Sequence, residues 1–126
     1  MLSKRLEAVA SFVPDEVRMA DIGCDHAYLP IALLERKRVT HAIGCDINEG
    51  PLEAARKNAA RADVDLSVLD LRLGDGLSAL SPGEVDVVTL AGMGAGLMVD
   101  ILSAQPDVVA QLQRIVVSPN VAPWLL

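Results

Sequence analysis

The chain of 126 residues has few aromatic side chains, few cysteines and no long apolar run. Its three aromatic residues are Phe12, Tyr28 and Trp124, so its core must be built from aliphatic side chains, as in a buried parallel sheet. Two cysteines, Cys24 and Cys45, are too few for the disulfide framework of a small secreted domain, and they favour reduced, buried thiols. Because no segment suits a bilayer span or a signal peptide, we expect a cytoplasmic protein without membrane contact.

Positive charge is also scarce, since 11 Lys and Arg face 17 Asp and Glu, for a net charge of −6 and a pI near 4.7. Composition alone therefore argues against a nucleic-acid-binding surface. The 52% hydrophobic content and the mean hydropathy of +0.36 predict a packed core, and the length suits one domain over residues 1–126. With His26 and His41 as the only histidines, no metal site is expected.

Two nucleotide-binding signatures are missing. No P-loop pattern occurs, and the turn after the first predicted strand contains Gly23-Cys24-Asp25-His26 without the further glycines of a dinucleotide-binding fold. A second glycine-rich stretch over 92–96 follows the fourth predicted strand and matches that fingerprint only weakly. It could be a turn that needs positive φ, a wall of a ligand pocket, or both.

Hydrophobic periodicity predicts alternating helices and strands, with Ser3 as the first N-cap and Pro14 ending the first helix. Helices are predicted over 2–13, 29–35, 50–62, 96–103 and 107–113, and strands over 17–22, 40–45, 65–73, 85–90 and 114–118. This alternation is typical of a parallel α/β sheet with right-handed crossovers. The apolar end of the sequence, directly after the last predicted strand, leads us to expect a truncated chain with an unprotected edge strand.

Three acidic residues follow three successive strands: Asp21, Asp46 and Asp75. Because parallel strands end at one edge of the sheet, we expect these carboxylates to converge. Asp46 is placed to accept two ribose hydroxyls, Asp75 to approach an adenine amine, and Asp21 with Gly23 to shape a pocket for an amino-acid tail. Taken singly, Asp46 could be a helix cap and Asp75 a turn residue. Together they indicate S-adenosylmethionine, whose sulfonium and ammonium groups are cations.

Four further residues flank the predicted pocket. His26 could be a hydrogen-bonded structural group, and Tyr28 either a core residue or a stacking platform for a base. Lys4 and Arg5 on the first helix could hold a phosphate or the carboxylate of the cofactor.

Seven short stretches occur in the order found in one known family. They cover residues 2–6, 20–30, 74–77, 83–86, 91–94, 119–120 and 124–125. On these stretches the chain closely resembles the bacterial TrmK family of tRNA (adenine-N1)-methyltransferases, which methylate N1 of adenine 22. The resemblance implies a Rossmann-like class I methyltransferase with helices on both faces of a parallel sheet in strand order 3-2-1-4-5. Compared with the family, the C-terminal strands and a helical domain are missing from this sequence.

The resemblance also implies S-adenosylmethionine as cofactor, S-adenosylhomocysteine as product and tRNA as partner. We expect a catalytic group that faces the target base, with Asn120 bonding the adenine edge and Asp25 offsetting positive charge, although Asn120 could equally be a loop residue. That group comprises Asp25, His26, Tyr28 and Asn120, with Lys4 and Arg5 as substrate contacts. The implied cofactor contacts are Asp21, Ile22, Gly23, Asp46, Ile47, Asn48, Gly74, Asp75, Gly76, Ala91, Gly92 and Met93.

Three alternatives remain open at this point. The chain could bind the cofactor without catalysis, or it could methylate a small molecule, which would suit the acidic composition better than tRNA does. A nucleotide-dependent oxidoreductase is the third alternative, although the first turn lacks its glycines.

Overall fold

The computed structural model describes residues 2–120, which form a five-stranded sheet with helices on both faces. Its elements in chain order are α1 Lys4–Ser11, β1 Val17–Ile22, α2 Tyr28–Glu35, β2 Val39–Asp46, α3 Glu49–Arg61, β3 Leu69–Leu73, a 3₁₀ turn Gly76–Ala79, β4 Val87–Gly94, α4 Ala95–Ala104, α5 Pro106–Ala110 and β5 Arg114–Asn120. Within residues 2–120 no helix is long and apolar enough to cross a membrane.

The strand order is β3-β2-β1-β4-β5, and every neighbouring pair is parallel. Both the order and the parallel arrangement confirm the expectation from the sequence. Strands are added on one side of β1 as far as β3, and the chain then crosses to the other side of β1 for β4. The carboxyl ends of β1 and β4 therefore border the point where the direction of the sheet reverses, which is where open α/β sheets bind ligands.

Each face of the sheet carries its own apolar core, because successive side chains of a strand point to opposite faces. Met19 belongs to the core under α1, α2 and α3, together with Leu29 and Leu52. Ala20 and Ile22 belong to the core under the 3₁₀ turn, α4 and α5. This two-sided burial explains why the buried positions of the central strands β1 and β4 are mostly apolar.

Residues visible in the sequence mark the starts of two helices. Ser3 Oγ accepts a hydrogen bond from Leu6 N at 3.2 Å, which confirms it as the N-cap of α1. Pro106 occupies the first turn of α5, where the missing N–H costs no helical hydrogen bond.

Several boundaries differ from the prediction. β3 begins at Leu69 because Asp65 Oδ1 accepts Ser67 N at 2.8 Å, so the preceding residues form a turn. β4 extends to Gly94 and β5 to Asn120, longer than predicted, and β5 tolerates Pro119 because it is an edge strand of the described sheet. The first helix ends at Ser11 rather than at position 13. The 124–125 stretch used in the resemblance lies outside the described residues.

Candidate functional site

Backbone hydrogen bonds join the turns that follow β1, β2 and β3 at the carboxyl edge. The amides of Gly23 and Cys24 donate to the carbonyl of Cys45 at 2.8 and 2.9 Å, and the amide of Gly74 donates to the carbonyl of Asp46 at 2.9 Å. These bonds extend the sheet pairing past the strand ends. The three predicted turns therefore form one continuous edge.

The turn after β1 has an unusual backbone. Gly23, Asp25 and Ala27 all have positive φ, at +70°, +53° and +61°. For the two non-glycine residues this conformation costs about 1–3 kcal/mol each, and such strain is concentrated at functional sites. At Gly23 a β-carbon would lie 3.2 Å from Met93 Cε, so the absence of a side chain keeps the turn open toward β4.

Asp46 holds this turn against the next one. The carboxylate is buried, and its Oδ2 accepts from Asp25 N at 3.1 Å while its Oδ1 accepts from Asn48 N at 3.0 Å. Two of roughly four acceptor positions on the carboxylate are thus occupied, and the others remain for a ligand. The N-cap of α3 is Asn48, so Asp46 is not the helix cap weighed from the sequence; its carboxylate instead fixes the turns on either side of the edge.

Asp21 is the other buried carboxylate at this edge. Its Oδ1 accepts a hydrogen bond from Thr89 Oγ1 at 2.8 Å, and Thr89 lies directly opposite it in the β1–β4 register. Burial raises the pKa of Asp21 to about 7, although the Thr89 hydrogen bond lowers it; the nearby Asp46 charge raises it further. A cation placed beside Asp21 would stabilise its ionised form.

A cavity of about 220 Å³ opens between the ends of β1 and β4 and the start of α1. It is lined by Ser3, Arg5, Leu6, Asp21, Gly23, Cys24, Asp25, Tyr28, Leu29, Ala91 and Gly92. Burial raises the pKa of the Cys24 thiol far above its usual range, so this thiol stays neutral. It therefore lines the cavity without acting as a nucleophile.

Asn120 bonds two residues of the cavity lining, Arg5 and Gly92. Arg5 Nη1 donates to Asn120 Oδ1 at 3.0 Å, and Asn120 Nδ2 donates to the carbonyl of Gly92 at 2.9 Å. Gly92 has φ of +80° and lines the cavity, so the positive φ and the pocket wall expected of the 92–96 stretch both occur at this residue, but it lies at an irregularity of the β4–β5 pairing within β4 and not in a turn. These hydrogen bonds connect α1 to β4 and β5. They also bring together Arg5, predicted as a substrate contact, and Asn120, predicted as part of the catalytic group.

Tyr28 of the cavity lining stacks on the partly exposed His26. The rings of His26 and Tyr28 stack with centroids 5.4 Å apart and an interplanar angle of 9°. His26 Nδ1 lies 3.1 Å from Asp25 Oδ1, and Asn58 Nδ2 donates to the carbonyl of His26 at 2.9 Å. Tyr28 is 53% exposed, so it is not a core residue, and the pair offers a flat surface to a base.

The remaining predicted site residues do not line this cavity. Ile22 is buried in β1, while Ile47 directly follows Asp46 and is 62% exposed. Asp75 is exposed and, with Gly76, lines a neighbouring cavity of about 320 Å³ that extends along α4. Lys4 is exposed on α1 and is not part of the cavity lining, unlike Arg5.

The sequence-based interpretation missed two residues that support the site. Thr89 is fully buried, and its only signal was one hydroxyl residue inside an aliphatic strand. Asn58 lies on α3, where nothing in the sequence connects it with the first turn. Among residues 2–120 there is no group of three or more His, Cys, Asp or Glu side chains that could hold a metal ion.

The order of the sheet and the acidic cavity at its reversal point define a Rossmann-like domain of the kind that binds a nucleoside-containing cofactor. A family model described as a methyltransferase domain matches residues 2–126, and the chain belongs to this family.

Individual relatives agree with this assignment. The chain is 39% identical over 120 residues to the tRNA (adenine(22)-N(1))-methyltransferase of Bacillus subtilis (strain 168), an alignment that covers 95% of this chain and 50% of the relative. The crystal structure of the B. subtilis m1A22 tRNA methyltransferase TrmK matches with a TM-score of 0.86 and 38% identity, over 94% of this chain and 50% of that one. The resemblance to TrmK is thereby confirmed. The chain spans about half the length of these relatives.

Two further solved structures are similar to this chain and contain a ligand. The TrmK of M. capricolum in complex with S-adenosylhomocysteine has a TM-score of 0.84 and 32% identity, over 97% of this chain and 54% of that one. A Streptococcus pneumoniae homologue in complex with S-adenosyl-L-methionine has a TM-score of 0.90 and 41% identity, over 96% and 56% of the two chains.

Proposed function

We propose that this chain is the cofactor-binding domain of an S-adenosylmethionine-dependent methyltransferase that forms N1-methyladenosine at position 22 of tRNA, in the cytoplasm. The observation that supports it most directly is the cavity at the reversal point of the sheet, with Asp21 buried in its wall and Asp46 holding its first turn. The printed activities of the relatives and the ligands of the similar structures supply the substrate and the cofactor.

The residues present fit this cofactor. Its sulfonium and ammonium groups are cations, and a buried carboxylate with a pKa of about 7, such as Asp21, is stabilised in its charged form by a cation. Asp46 has unoccupied acceptor positions for ribose hydroxyls, and the exposed Ile47 beside it offers an apolar contact for a base. Gly23 leaves the turn free of a β-carbon where a ligand must approach.

Bound S-adenosylmethionine would supply an electrophilic methyl group, and the N1 lone pair of adenine needs no deprotonation before attack. The new bond joins N1 to the methyl carbon, while the electron pair of the broken bond stays on sulfur. The protein therefore has to orient two reactants, which is worth about 7–11 kcal/mol in well-aligned systems. Among the described residues, the stacked rings of His26 and Tyr28 are placed to hold the base.

The charged side chains of Asp25 and Arg5 would each take part in this reaction, and Asn120 would position Arg5. The exposed Asp25 carboxylate lies at the cavity mouth and would stabilise the positive charge that develops on the methylated adenine. The amide of Asn120 is already bonded to Arg5 and to Gly92, so it positions Arg5 and reaches a base only through its second hydrogen or lone pair. The cation of Arg5, which has no carboxylate within 4.0 Å among residues 2–120, is available for the cofactor carboxylate or a phosphate.

The structure also argues against the oxidoreductase alternative. The exposed Asp25 carboxylate lies just before the N-terminus of α2, where a dinucleotide pyrophosphate would bind, and it would repel that group.

The test is methyl transfer from labelled S-adenosylmethionine to unmodified tRNA transcripts with adenine or guanine at position 22. We expect N1-methyladenosine in the adenine transcript only, as measured by nucleoside analysis. Equal transfer to both transcripts would contradict the assigned position. Cofactor binding without transfer to either transcript would favour the alternatives of a small-molecule acceptor or a domain without catalysis.

A further inference from the structure

Some of the positive charges of this acidic chain have no carboxylate partner among residues 2–120. Among residues 2–120, five arginines lie within 4.0 Å of a carboxylate: Arg18, Arg36, Arg38, Arg56 and Arg72. The cations without such a partner in that part of the chain are Lys4, Arg5, Lys37, Lys57, Arg61 and Arg114. A polyanion that approaches a protein of net charge −6 is attracted to such unpaired cations.

Arg61 borders a groove that adjoins the candidate active site. This groove has a volume of about 260 Å³ and is lined by Leu2, Tyr28, Ile31, Ala32, Glu35, Asn58, Arg61 and Ala62. Tyr28 lines both this groove and the cavity between β1 and β4. The exposed Tyr28 ring, which we assign to the target base, therefore lies between the cavity and the groove. An RNA strand whose base stacks on this ring can continue along the groove.

A short chain of hydrogen bonds connects Arg61 to the turn that carries the aromatic pair. Arg61 Nη1 donates to Asn58 Oδ1 at 3.4 Å, and Asn58 Nδ2 donates to the carbonyl of His26 at 2.9 Å. Asn58 is half-buried, so its amide holds one side of the guanidinium while the other donors of Arg61 face solvent. Lys57 is exposed on the same helix, four residues earlier, and adds positive charge to this face.

We propose that this groove binds the phosphate of a nucleotide that flanks the target adenine, with Arg61 as the bonding cation. The proposal rests on the function proposed above. Guanidinium donors match phosphate oxygens in a way that a lone ammonium does not. A second cavity, near the amino ends of the strands, is a poor site for RNA because Glu16, Glu35, Asp63 and Asp65 line it with a single Lys37. Glu35 also lines the Arg61 groove, where it is the only carboxylate.

The experiment compares the unaltered chain with Arg61→Ala, Arg61→Lys and the matched control Arg56→Ala. Arg56 is exposed on the same helix, but its guanidinium is bonded to Glu49 and Glu53. The dissociation constant for an unmodified tRNA transcript is measured between about 50 and 200 mM salt. In a plot of the logarithm of affinity against the logarithm of salt concentration, each lost phosphate contact lowers the steepness of the slope by about 0.7–0.9. The dissociation constant for S-adenosylhomocysteine is measured in parallel by calorimetry.

We expect Arg61→Ala to weaken tRNA binding about fivefold at the lowest salt, which corresponds to about 1 kcal/mol. It should also lower the salt slope by nearly one unit, Arg61→Lys should retain most of the affinity, and Arg56→Ala should change it less than twofold. Cofactor affinity should stay constant throughout. Equal effects of Arg61→Ala and Arg56→Ala, or an unchanged salt slope, would overturn the assignment of Arg61. If the unaltered chain bound S-adenosylhomocysteine but no tRNA, the proposed substrate itself would be wrong.

Discussion

Replacing Asp21 by asparagine tests how burial controls the charge of the candidate site. Asp21 is buried in the wall of the cavity, and in residues 2–120 its carboxylate accepts one side-chain hydrogen bond, from Thr89. Burial raises its pKa to about 7, from an ordinary value of 3.8. Asparagine has nearly the same shape and keeps an acceptor for Thr89, but it carries no charge at any pH.

The expected effect follows from the difference in pKa between the folded and unfolded chain. Because the pKa of Asp21 is raised on folding, its protonated form stabilises the fold below the unfolded value, and this stability is lost as the pH rises through 7. The difference of about three units corresponds to about 4 kcal/mol, at 1.36 kcal/mol per unit. A domain of this size has a total stability of only about 5–15 kcal/mol.

Urea unfolding between pH 4 and 8 measures the effect. We expect the free energy of unfolding of the unaltered chain to fall, relative to that of Asp21→Asn, by about 4 kcal/mol over this range. Every other titrating group is shared by the two proteins, so the difference isolates position 21. A difference that stays constant across the range would refute the assignment of a raised pKa to this carboxyl group.

Two further predictions concern the turn after β1 and the ion pair under β3. Gly23→Ala should lower the free energy of unfolding by about 1–2 kcal/mol, because Gly23 has a positive φ. Gly50→Ala is the control and should not destabilise the chain, since nothing lies within 4 Å of the new methyl group. Equal urea-unfolding midpoints for the two variants would contradict this prediction. Glu84 accepts from both terminal nitrogens of Arg72, which lowers the pKa of Glu84 to about 2. Glu84→Gln should therefore lower the free energy of unfolding by about 1–2 kcal/mol at pH 7, after allowance for the partial exposure of the pair. The difference in unfolding free energy from the unaltered chain should shrink as the pH falls from 4.5 toward 2. A difference that does not change with pH would count against the ion pair.

The fold was predictable because its signals are local and repeated. Alternating apolar strands and helices predicted the five strands, their parallel direction and the carboxyl edge at which Asp21 and Asp46 lie. The boundary errors arose where a turn competes with a strand, as at Asp65, or where tertiary pairing extends a strand, as in β5. Periodicity contains no information about such pairing.

The candidate site was predictable only in part, because its contacts join residues that are distant in the sequence. Arg5 and Asn120 are 115 positions apart, yet their side chains are bonded to each other. The role of Thr89 depends on the register that places it opposite Asp21, and that register follows from packing of the whole sheet. Asp75 was expected beside the other two carboxylates, but its side chain borders a neighbouring cavity near α4. Its expected contact with adenine stays a prediction.

The most direct test of the proposed cofactor site is titration calorimetry of S-adenosylhomocysteine against the unaltered chain, Asp46→Ala and the charge-matched control Asp107→Ala, whose side chain is exposed on α5. We expect the unaltered chain and Asp107→Ala to bind with affinities within twofold of each other, and Asp46→Ala to bind at least tenfold more weakly, a loss of about 1.4 kcal/mol or more. Unchanged affinity in Asp46→Ala, with the fold intact by thermal unfolding, would contradict the placement of the cofactor at this edge of the sheet.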